Sequence, residues 1–171
     1  FMNLFIVSGA PNTGKSTTVY HLCTYLLNLG YVKTDIPYNG KRYSTSTSFP
    51  PILANDFSCL LEKEGKKVLI HTATDDVFNI DALVNSINNH KPSIVITTCR
   101  DFGDWPRDYF CSQLKLVNSF ILASTSDIDI EEFPLSRITR RTTRFATAYE
   151  WYFINSTHQI EKILSLPPYS I

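Results

Sequence analysis

A glycine-containing segment near the N-terminus constrains the fold of this chain more than any other feature. Residues 9 to 16 read G-A-P-N-T-G-K-S and match the pattern G-x-x-x-x-G-K-[ST] at every defined position. An apolar run at residues 3 to 8, typical of a strand covered on both faces, precedes the segment. Apolar residues at helical spacing follow it from 15 to 29. The order strand, loop, helix predicts a phosphate-binding loop at the end of a buried strand.

Each defined position of this loop has a chemical role. Gly9 and Gly14 let the backbone curl so that its N–H groups point inward at phosphates, near the positive end of the following helix. Lys15 supplies positive charge to the outer phosphates, and Ser16 offers a hydroxyl to Mg²⁺. The alternative, a glycine turn without function, agrees less well with motif and placement together. The residues predicted to contact a nucleoside triphosphate are Gly9, Ala10, Pro11, Asn12, Thr13, Gly14, Lys15, Ser16 and Thr17.

The rest of the chain alternates between strand and helix patterns. Further strands are predicted at 67–71, 93–98, 116–123 and 151–154. Helices are predicted at 80–87, 109–114, 134–149 and 160–164. Residues 57–61 and 67–71 flank Glu64-Gly65 and predict a hairpin, with a helix over 56–63 as the alternative.

This alternation predicts a single α/β domain spanning residues 1–171. Because right-handed crossovers must cover both faces, we expect a three-layer α/β/α arrangement around a mainly parallel, five-stranded sheet. Ligands of such sheets lie at the carboxyl ends of the strands. The loops after Val7, His71, Thr98 and Ala123 are therefore the predicted site of function.

Composition narrows the classes of partner. Sixteen Lys plus Arg balance sixteen Asp plus Glu, so the net charge is zero and nucleic-acid binding is not favoured. The four cysteines are spread along the chain without a C-x-x-C pair, which argues against a zinc site or a disulfide framework. No apolar run approaches the roughly 20 residues needed to span a bilayer, so we expect a cytoplasmic protein without membrane contact.

With this loop and this order of elements, the chain resembles the P-loop NTPase superfamily. The likeness in element order covers nearly the whole chain, but it is specific in sequence only at residues 9–16. The chain has no N-K-x-D guanine signature, and it carries Ala10 and Pro11 where partitioning ATPases have a second lysine. Recombinase-like and AAA-type ATPases usually need longer chains. The chain is most similar to the compact nucleoside- and nucleotide-kinase-like branch.

The resemblance implies a Mg²⁺-dependent protein that binds ATP or another nucleoside triphosphate and transfers a phosphoryl group to a small-molecule acceptor. Two alternatives stay open. One is an NTPase or nucleotide-dependent switch that acts on a protein partner. The other is a nucleotide-binding protein with weak or lost catalysis.

Four arginines form a stripe in the predicted helix after residue 134. Their i, i+3, i+4, i+7 spacing places Arg137, Arg140, Arg141 and Arg144 on one helix face. The resemblance implies an arginine-bearing lid at about 134–149, in which Arg140 and Arg141 stabilise the transferring phosphoryl group while Arg137 and Arg144 bind the nucleotide. Alternatives are a solvated face paired with the acidic residues just upstream, or contacts to nucleic-acid phosphates.

The acidic partner of the phosphate loop is less clear. Many superfamily members place a carboxylate at the end of the strand that here ends in Thr97-Thr98, so Asp75 or Asp101 is the predicted substitute. Asp75 is a candidate for the metal-bound water or for accepting a substrate proton, whereas it and Asp76 are also suited to capping a helix. Arg100 either binds a substrate anion or pairs with Asp101 or Asp104.

Residues 31–55 are rich in Tyr, Ser, Thr and Pro and predict an insertion over the surface. The insertion is suited to covering a base or gripping an acceptor phosphate, or it is a plain surface loop. Its candidate residues are Tyr31, Tyr38, Lys41, Arg42 and Tyr43. Trp105 and Trp151 are predicted to be core or interface anchors, and Cys99 is predicted to be structural.

Overall fold

The computed structural model describes residues 1–11, 13–37, 56–135 and 146–171. The elements in chain order are β1 (Met2–Ser8), α1 (Lys15–Asn28), β2 (Val32–Asp35), β3 (Ser58–Lys63), β4 (Lys66–His71), α2 (Val77–His90), β5 (Ile94–Cys99), α3 (Trp105–Leu114), β6 (Ile128–Pro134) and α4 (Ala146–Ser165).

The strands form one six-stranded mixed sheet in the order β2-β3-β4-β5-β1-β6. Strand β1 pairs in parallel with β5 and β6, and β4 pairs in parallel with β5. Strands β2 and β3 are antiparallel to their neighbours. The predicted α/β class is confirmed, but the prediction of five strands is wrong because the sheet has an additional antiparallel strand pair at one end.

An apolar cluster lies on each face of the sheet because successive strand residues point to opposite sides. The cluster under α1 and α4 includes Phe5, Val7, Leu22, Leu26, Ile160 and Leu164. The cluster under α2 and α3 includes Leu4, Ile6, Ile80, Leu83, Phe110 and Leu114. Among the helices of the described ranges, none has both the length and the apolar character that crossing a bilayer requires.

The hairpin of β3 and β4 confirms the prediction made from Glu64-Gly65. Glu64 and Gly65 have φ angles of 50° and 80°, and two positive φ values are what a tight two-residue hairpin turn needs. The alternative helix over 56–63 is therefore wrong. Since β3 runs antiparallel to β4, Ser58 at its start pairs with His71 at the end of β4. The residues just before β3 consequently lie at the edge of the sheet where the parallel strands end.

Two predicted strands are absent. Residues 116–123 form a loop instead of a strand, in which Leu116 and Leu122 are buried in the cluster under α2 and α3 and the apolar side chains between them are exposed. Residues 151–154 lie within α4. The strand that does follow α3 is β6, an edge strand whose sequence I-D-I-E-E-F-P carries the charges that edge strands tolerate.

The predictions of a helix over 134–149 and of an insertion over 31–55 are each partly wrong. Pro134 ends β6, residues 146–149 belong to α4, and residues 136–145 lie outside the described ranges. Tyr31 is 7% exposed and packs in the core, so it does not cover a ligand. Residues 32–35 form β2, and the insertion begins later than expected.

Candidate phosphate-binding site

The predicted phosphate loop connects the end of β1 to the start of α1. The Gly9 N–H donates to the Cys99 carbonyl at 3.1 Å, which ties the start of the loop to the end of β5. Gly14 precedes α1 with φ 90° and ψ 19°, a left-handed conformation that favours glycine. The first turn of α1 has neither a side-chain cap nor an acidic residue. Its N–H groups and positive dipole end are therefore suited to an anion.

Close packing inside the loop explains the glycine at its first position. A Cβ atom on Gly9 would lie 2.8 Å from the Thr13 hydroxyl oxygen and 3.4 Å from the Leu135 carbonyl oxygen. The Thr13 hydroxyl itself donates to the Ala10 carbonyl at 2.9 Å. A side chain at position 9 would displace this hydroxyl and open the loop.

Lys15 reaches back over the loop. Its ammonium donates to the Ala10 carbonyl at 2.8 Å, so the charge lies next to the loop backbone. Burial lowers the pKa of Lys15 below its ordinary value, and the carboxylate of Asp75 partly offsets this. A half-buried ammonium that donates to a neutral carbonyl is well suited to exchange that partner for a phosphate oxygen.

Ser16 contacts a carboxylate that sequence reasoning missed. The Ser16 hydroxyl donates to Oδ1 of Asp56 at 3.0 Å across forty residues of sequence, and the Thr72 hydroxyl donates to the same oxygen at 3.1 Å. Burial raises the pKa of Asp56 above its ordinary value, while these two hydrogen bonds act in the opposite direction. The predicted hairpin was the available signal, because it places the residues before β3 beside the end of β4.

Asp75 and Asp76 make different contacts, and only Asp76 takes the capping role that was considered for both. Asp76 caps α2, since its side chain accepts from the Asn79 N–H. Asp75 instead accepts from Arg100 Nε at 2.6 Å. This hydrogen bond raises the pKa of the guanidinium. The predicted pairing of Arg100 with Asp101 or Asp104 is replaced by a pairing across two strand ends.

Hydroxyl groups occupy the strand ends where the superfamily pattern has a carboxylate. Thr97 donates to the His71 carbonyl at 2.6 Å, and Thr98 donates to the Thr72 carbonyl at 2.8 Å. The Thr74 and Thr98 hydroxyls are 2.9 Å apart. These bonds join the ends of β4 and β5.

A cavity of about 410 Å³ lies between the loop, the start of α1 and the neighbouring strand ends. Its walls are the loop residue Pro11, residues 14–17 at the start of α1, and side chains from the three neighbouring strand ends. The side chains outside the loop and α1 are Asp56, Thr72, Asp75, Thr98 and Arg100. Asp101 lies outside the walls of this cavity, although its charge acts to raise the pKa of Lys15. No group of three or more metal-ligating side chains occurs in the part of the chain that the structure describes.

Several predicted site residues fall outside the described ranges. They are Asn12, the insertion residues Tyr38, Lys41, Arg42 and Tyr43, and the arginines Arg137, Arg140, Arg141 and Arg144. The arginine lid stays a prediction.

The structure also describes the two tryptophans and Cys99. Trp105 and Trp151 are 58% and 70% exposed, so neither is a core anchor. Cys99 is buried, and burial raises the pKa of its thiol to about 12. A thiol of such high pKa stays protonated and unreactive, as expected of a structural cysteine.

A buried ion pair supports the wall of the cavity and was not predicted. Arg107 in α3 is 1% exposed, and its NH1 lies 2.6 Å from Oε1 of Glu132 in β6. The same NH1 donates to the Arg100 carbonyl at 3.1 Å, and NH2 donates to the Ser119 carbonyl at 3.0 Å. This guanidinium therefore joins the segment after β5 to β6 and to the loop after α3.

Comparisons of the chain with protein-family models, with curated proteins and with solved structures find no match. Its function is therefore inferred from the residues of the site.

Proposed function

We propose that the protein binds a nucleoside triphosphate, ATP or another, together with Mg²⁺, and transfers its γ-phosphoryl group to a small-molecule acceptor. The observation that carries the proposal is the meeting of Lys15, Ser16 and Asp56 around one cavity at the start of α1. A motif match alone could arise by chance. Its convergence with a carboxylate from a distant part of the chain supports a functional site.

The phosphates are held by the loop backbone and by Lys15. The N–H groups at the start of α1 face the anion, and the Lys15 ammonium exchanges the Ala10 carbonyl for an outer phosphate oxygen. Ser16 and Asp56 are the residues that would hold Mg²⁺, which accepts hard oxygen ligands and commonly takes one or two from protein and others from phosphate. Bound Mg²⁺ supplies charge neutralisation at the outer phosphates.

Transfer needs a group that takes a proton and a cation that stabilises developing charge. The acceptor hydroxyl oxygen forms a bond to the γ-phosphorus as the bond to the β–γ bridging oxygen breaks, and that oxygen leaves with the electron pair as part of the nucleoside diphosphate. The hydroxyl proton passes to Asp75, whose side chain is 55% exposed and lines the cavity. Arg100, bound to Asp75, lies beside the transferring group, and the arginines of the predicted lid would add charge to it.

A second function, a nucleotide-dependent switch acting on a protein partner, is favoured by one observation. Phe102 and Phe120 are 53% and 80% exposed and contact each other edge to face, with ring centroids 6.3 Å apart. Phe102 lies two residues from Arg100, so an apolar surface adjoins the cavity. Such a surface suits a protein partner whose binding follows the nucleotide state.

Calorimetric titration tests the shared premise. We expect Lys15→Met to weaken ATP binding in the presence of Mg²⁺ by at least about tenfold, because a charge-assisted hydrogen bond contributes roughly 1.5–3 kcal/mol. Lys67→Met is the matched control, since Lys67 is 45% exposed in a surface ion pair near the start of β4, far along the strand from the cavity. Equal affinity of the wild type and Lys15→Met would remove the proposal.

The two functions separate by their products. A phosphotransferase forms a phosphorylated acceptor and leaves little free phosphate, whereas a switch releases phosphate slowly without any acceptor. Labelled γ-phosphate can be followed into both products with a panel of nucleosides, nucleotides and sugars. Labelled free phosphate as the sole product across the panel would favour the switch.

A further inference from the structure

A second cavity adjoins the candidate phosphate site. Its volume is about 370 Å³, within the range of small-molecule pockets. It shares Pro11, Asp75 and Arg100 with the first cavity. The shared residues form a common wall, so a molecule in the second cavity would lie next to the outer phosphate.

The far wall of this cavity is the start of α3. The Trp105 side chain is 58% exposed there and offers an aromatic face, with Pro106 beside it. Asp104 occupies the N-cap position of α3, but its side chain makes no capping hydrogen bond. This carboxylate is therefore not used by the helix and is suited to accept a hydrogen bond from a ligand.

The wall is held in place before any ligand binds. The Asp104 N–H donates to the Asp101 carbonyl at 3.1 Å, and the Arg107 N–H donates to the Asp104 carbonyl at 3.0 Å. The buried Arg107 guanidinium also binds the Arg100 carbonyl at 3.1 Å. A cavity with such a fixed wall loses little entropy on binding.

The charges of the described residues around the second cavity act against one class of ligand. Asp75 and Asp104 are the two carboxylates of its wall, and Arg100 is its one cation among the residues that the structure describes. Arg100 is already bound to Asp75 at 2.6 Å. Close by, Asp101 adds a negative charge and the Lys15 ammonium adds a positive one, so the sum of the described charges stays negative. The net negative charge of these residues would repel an anionic ligand, but it would not repel an uncharged one.

We propose that this second cavity binds the phosphoryl acceptor and that the acceptor is an uncharged ring compound with a hydroxyl group, not a phosphorylated one. This inference rests on the proposed phosphotransfer. The ring packs on Trp105, a ligand hydroxyl or N–H donates to Asp104, and the reacting hydroxyl faces Asp75 at the common wall. Nucleosides and cyclic sugars share this chemistry, and the experiment separates them.

Fluorescence of Trp105 gives a direct test. The chain has two tryptophans, so Trp151→Phe leaves Trp105 as the single indole. This protein, saturated with a non-hydrolysable ATP analogue and Mg²⁺, is titrated with nucleosides, with their monophosphates and with hexoses. We expect a saturable fluorescence change with nucleosides or hexoses, whichever is the acceptor, and at least tenfold weaker binding of the phosphorylated counterparts.

Asp104→Asn is the variant that tests the carboxylate. Asparagine caps helices as well as aspartate, so the fold is preserved. We expect at least fivefold weaker acceptor binding with affinity for the ATP analogue within twofold of the wild type. Asp127→Asn is the control, because Asp127 is exposed just before β6, at the end of the sheet where the parallel strands begin.

The outcomes distinguish this inference from the proposed function. If the ATP analogue binds but no uncharged ring compound changes Trp105 fluorescence, this inference alone is wrong. Equal binding of a monophosphate and its nucleoside, or an unchanged Asp104→Asn variant, also overturns it. If the ATP analogue does not bind to the wild type by calorimetry, the proposed function fails and this inference with it.

Discussion

Replacing Arg107 with methionine removes one half of a buried ion pair. Arg107 is 1% exposed and the Glu132 side chain 6%, so the carboxylate left behind has little access to water. Removing one partner of a buried, hydrogen-bonded pair costs about 3–5 kcal/mol, because the other charge stays buried and unpaired. For a chain of this length such a loss lowers the Tm by roughly 6–20 °C.

Urea unfolding followed by circular dichroism measures this loss, and two further variants test its cause. Glu132→Gln keeps one oxygen that accepts from Arg107 but leaves the buried guanidinium without its counter-charge, so we expect it also to lose about 3–5 kcal/mol. The double variant Arg107→Met/Glu132→Leu should recover part of the stability, because apolar residues often replace buried ion pairs at little cost, but the Arg100 and Ser119 carbonyls still lose their donor. Lys67→Met breaks a half-exposed surface pair and should change stability by less than about 1 kcal/mol.

The pH dependence of Glu132 provides an independent check. Burial alone would raise its pKa, but hydrogen bonds from Arg107 and from the Leu122 N–H lower it below the ordinary value of 4.5. A depressed pKa means that the contribution of Glu132 to stability is present above pH 4.5 and is lost as the pH falls through the lower folded value.

A loss below about 1 kcal/mol in Arg107→Met, or a double variant no more stable than this single one, would refute the reasoning.

Three further variants test the site and the core. Asp56→Asn should weaken ATP binding about tenfold with Mg²⁺ and leave Mg²⁺-free binding within twofold, as measured by calorimetry; equal losses in both would remove Asp56 from the metal site. Gly9→Ala should lower ATP affinity at least tenfold with an unchanged circular dichroism spectrum, because its Cβ would lie 2.8 Å from the Thr13 hydroxyl oxygen; unchanged affinity would contradict the close packing. Burial lowers the pKa of His71 from 6.5 to about 4, so only the unfolded chain binds a proton between these values. Stability should therefore be full above pH 6.5 and fall by up to about 3 kcal/mol toward pH 4 in urea unfolding, and a His71→Gln variant with the same slope would assign this dependence to another group.

The parts of the fold that follow from local sequence were predictable. The loop between β1 and α1, the helix α1 and the hairpin depend on short-range features, such as the left-handed Gly14 and the positive φ at Gly65. Strand β6 was missed because it is an edge strand with carboxylates, which weaken the apolar pattern that marks buried strands. The segment from Leu116 to Leu122 was mistaken for a strand because it is rich in apolar residues, but only these two leucines are buried and the apolar side chains between them are exposed.

The pairs that complete the site depend on tertiary structure. Nothing in the local sequence says that Arg100 binds Asp75 rather than the nearer Asp101, or that Asp56 reaches Ser16. These contacts arise where strand ends from different parts of the chain meet at one edge of the sheet. Sequence patterns identify which edge this is, but they do not say which of several carboxylates faces the cavity.

The side chains at the end of β5 also affect the net charge of the first cavity, because Thr97 and Thr98 carry hydroxyls and not carboxylates. With no carboxylate at that strand end, the charged walls among the residues that the structure describes are two cations, Lys15 and Arg100, and two carboxylates, Asp56 and Asp75. Such a cavity carries no net charge, so the folded chain does not need a counter-ion to be stable in the absence of nucleotide. A magnesium nucleotide would add its own excess negative charge to a balanced surface. Affinity is then expected to depend on Mg²⁺ concentration more strongly than on ionic strength.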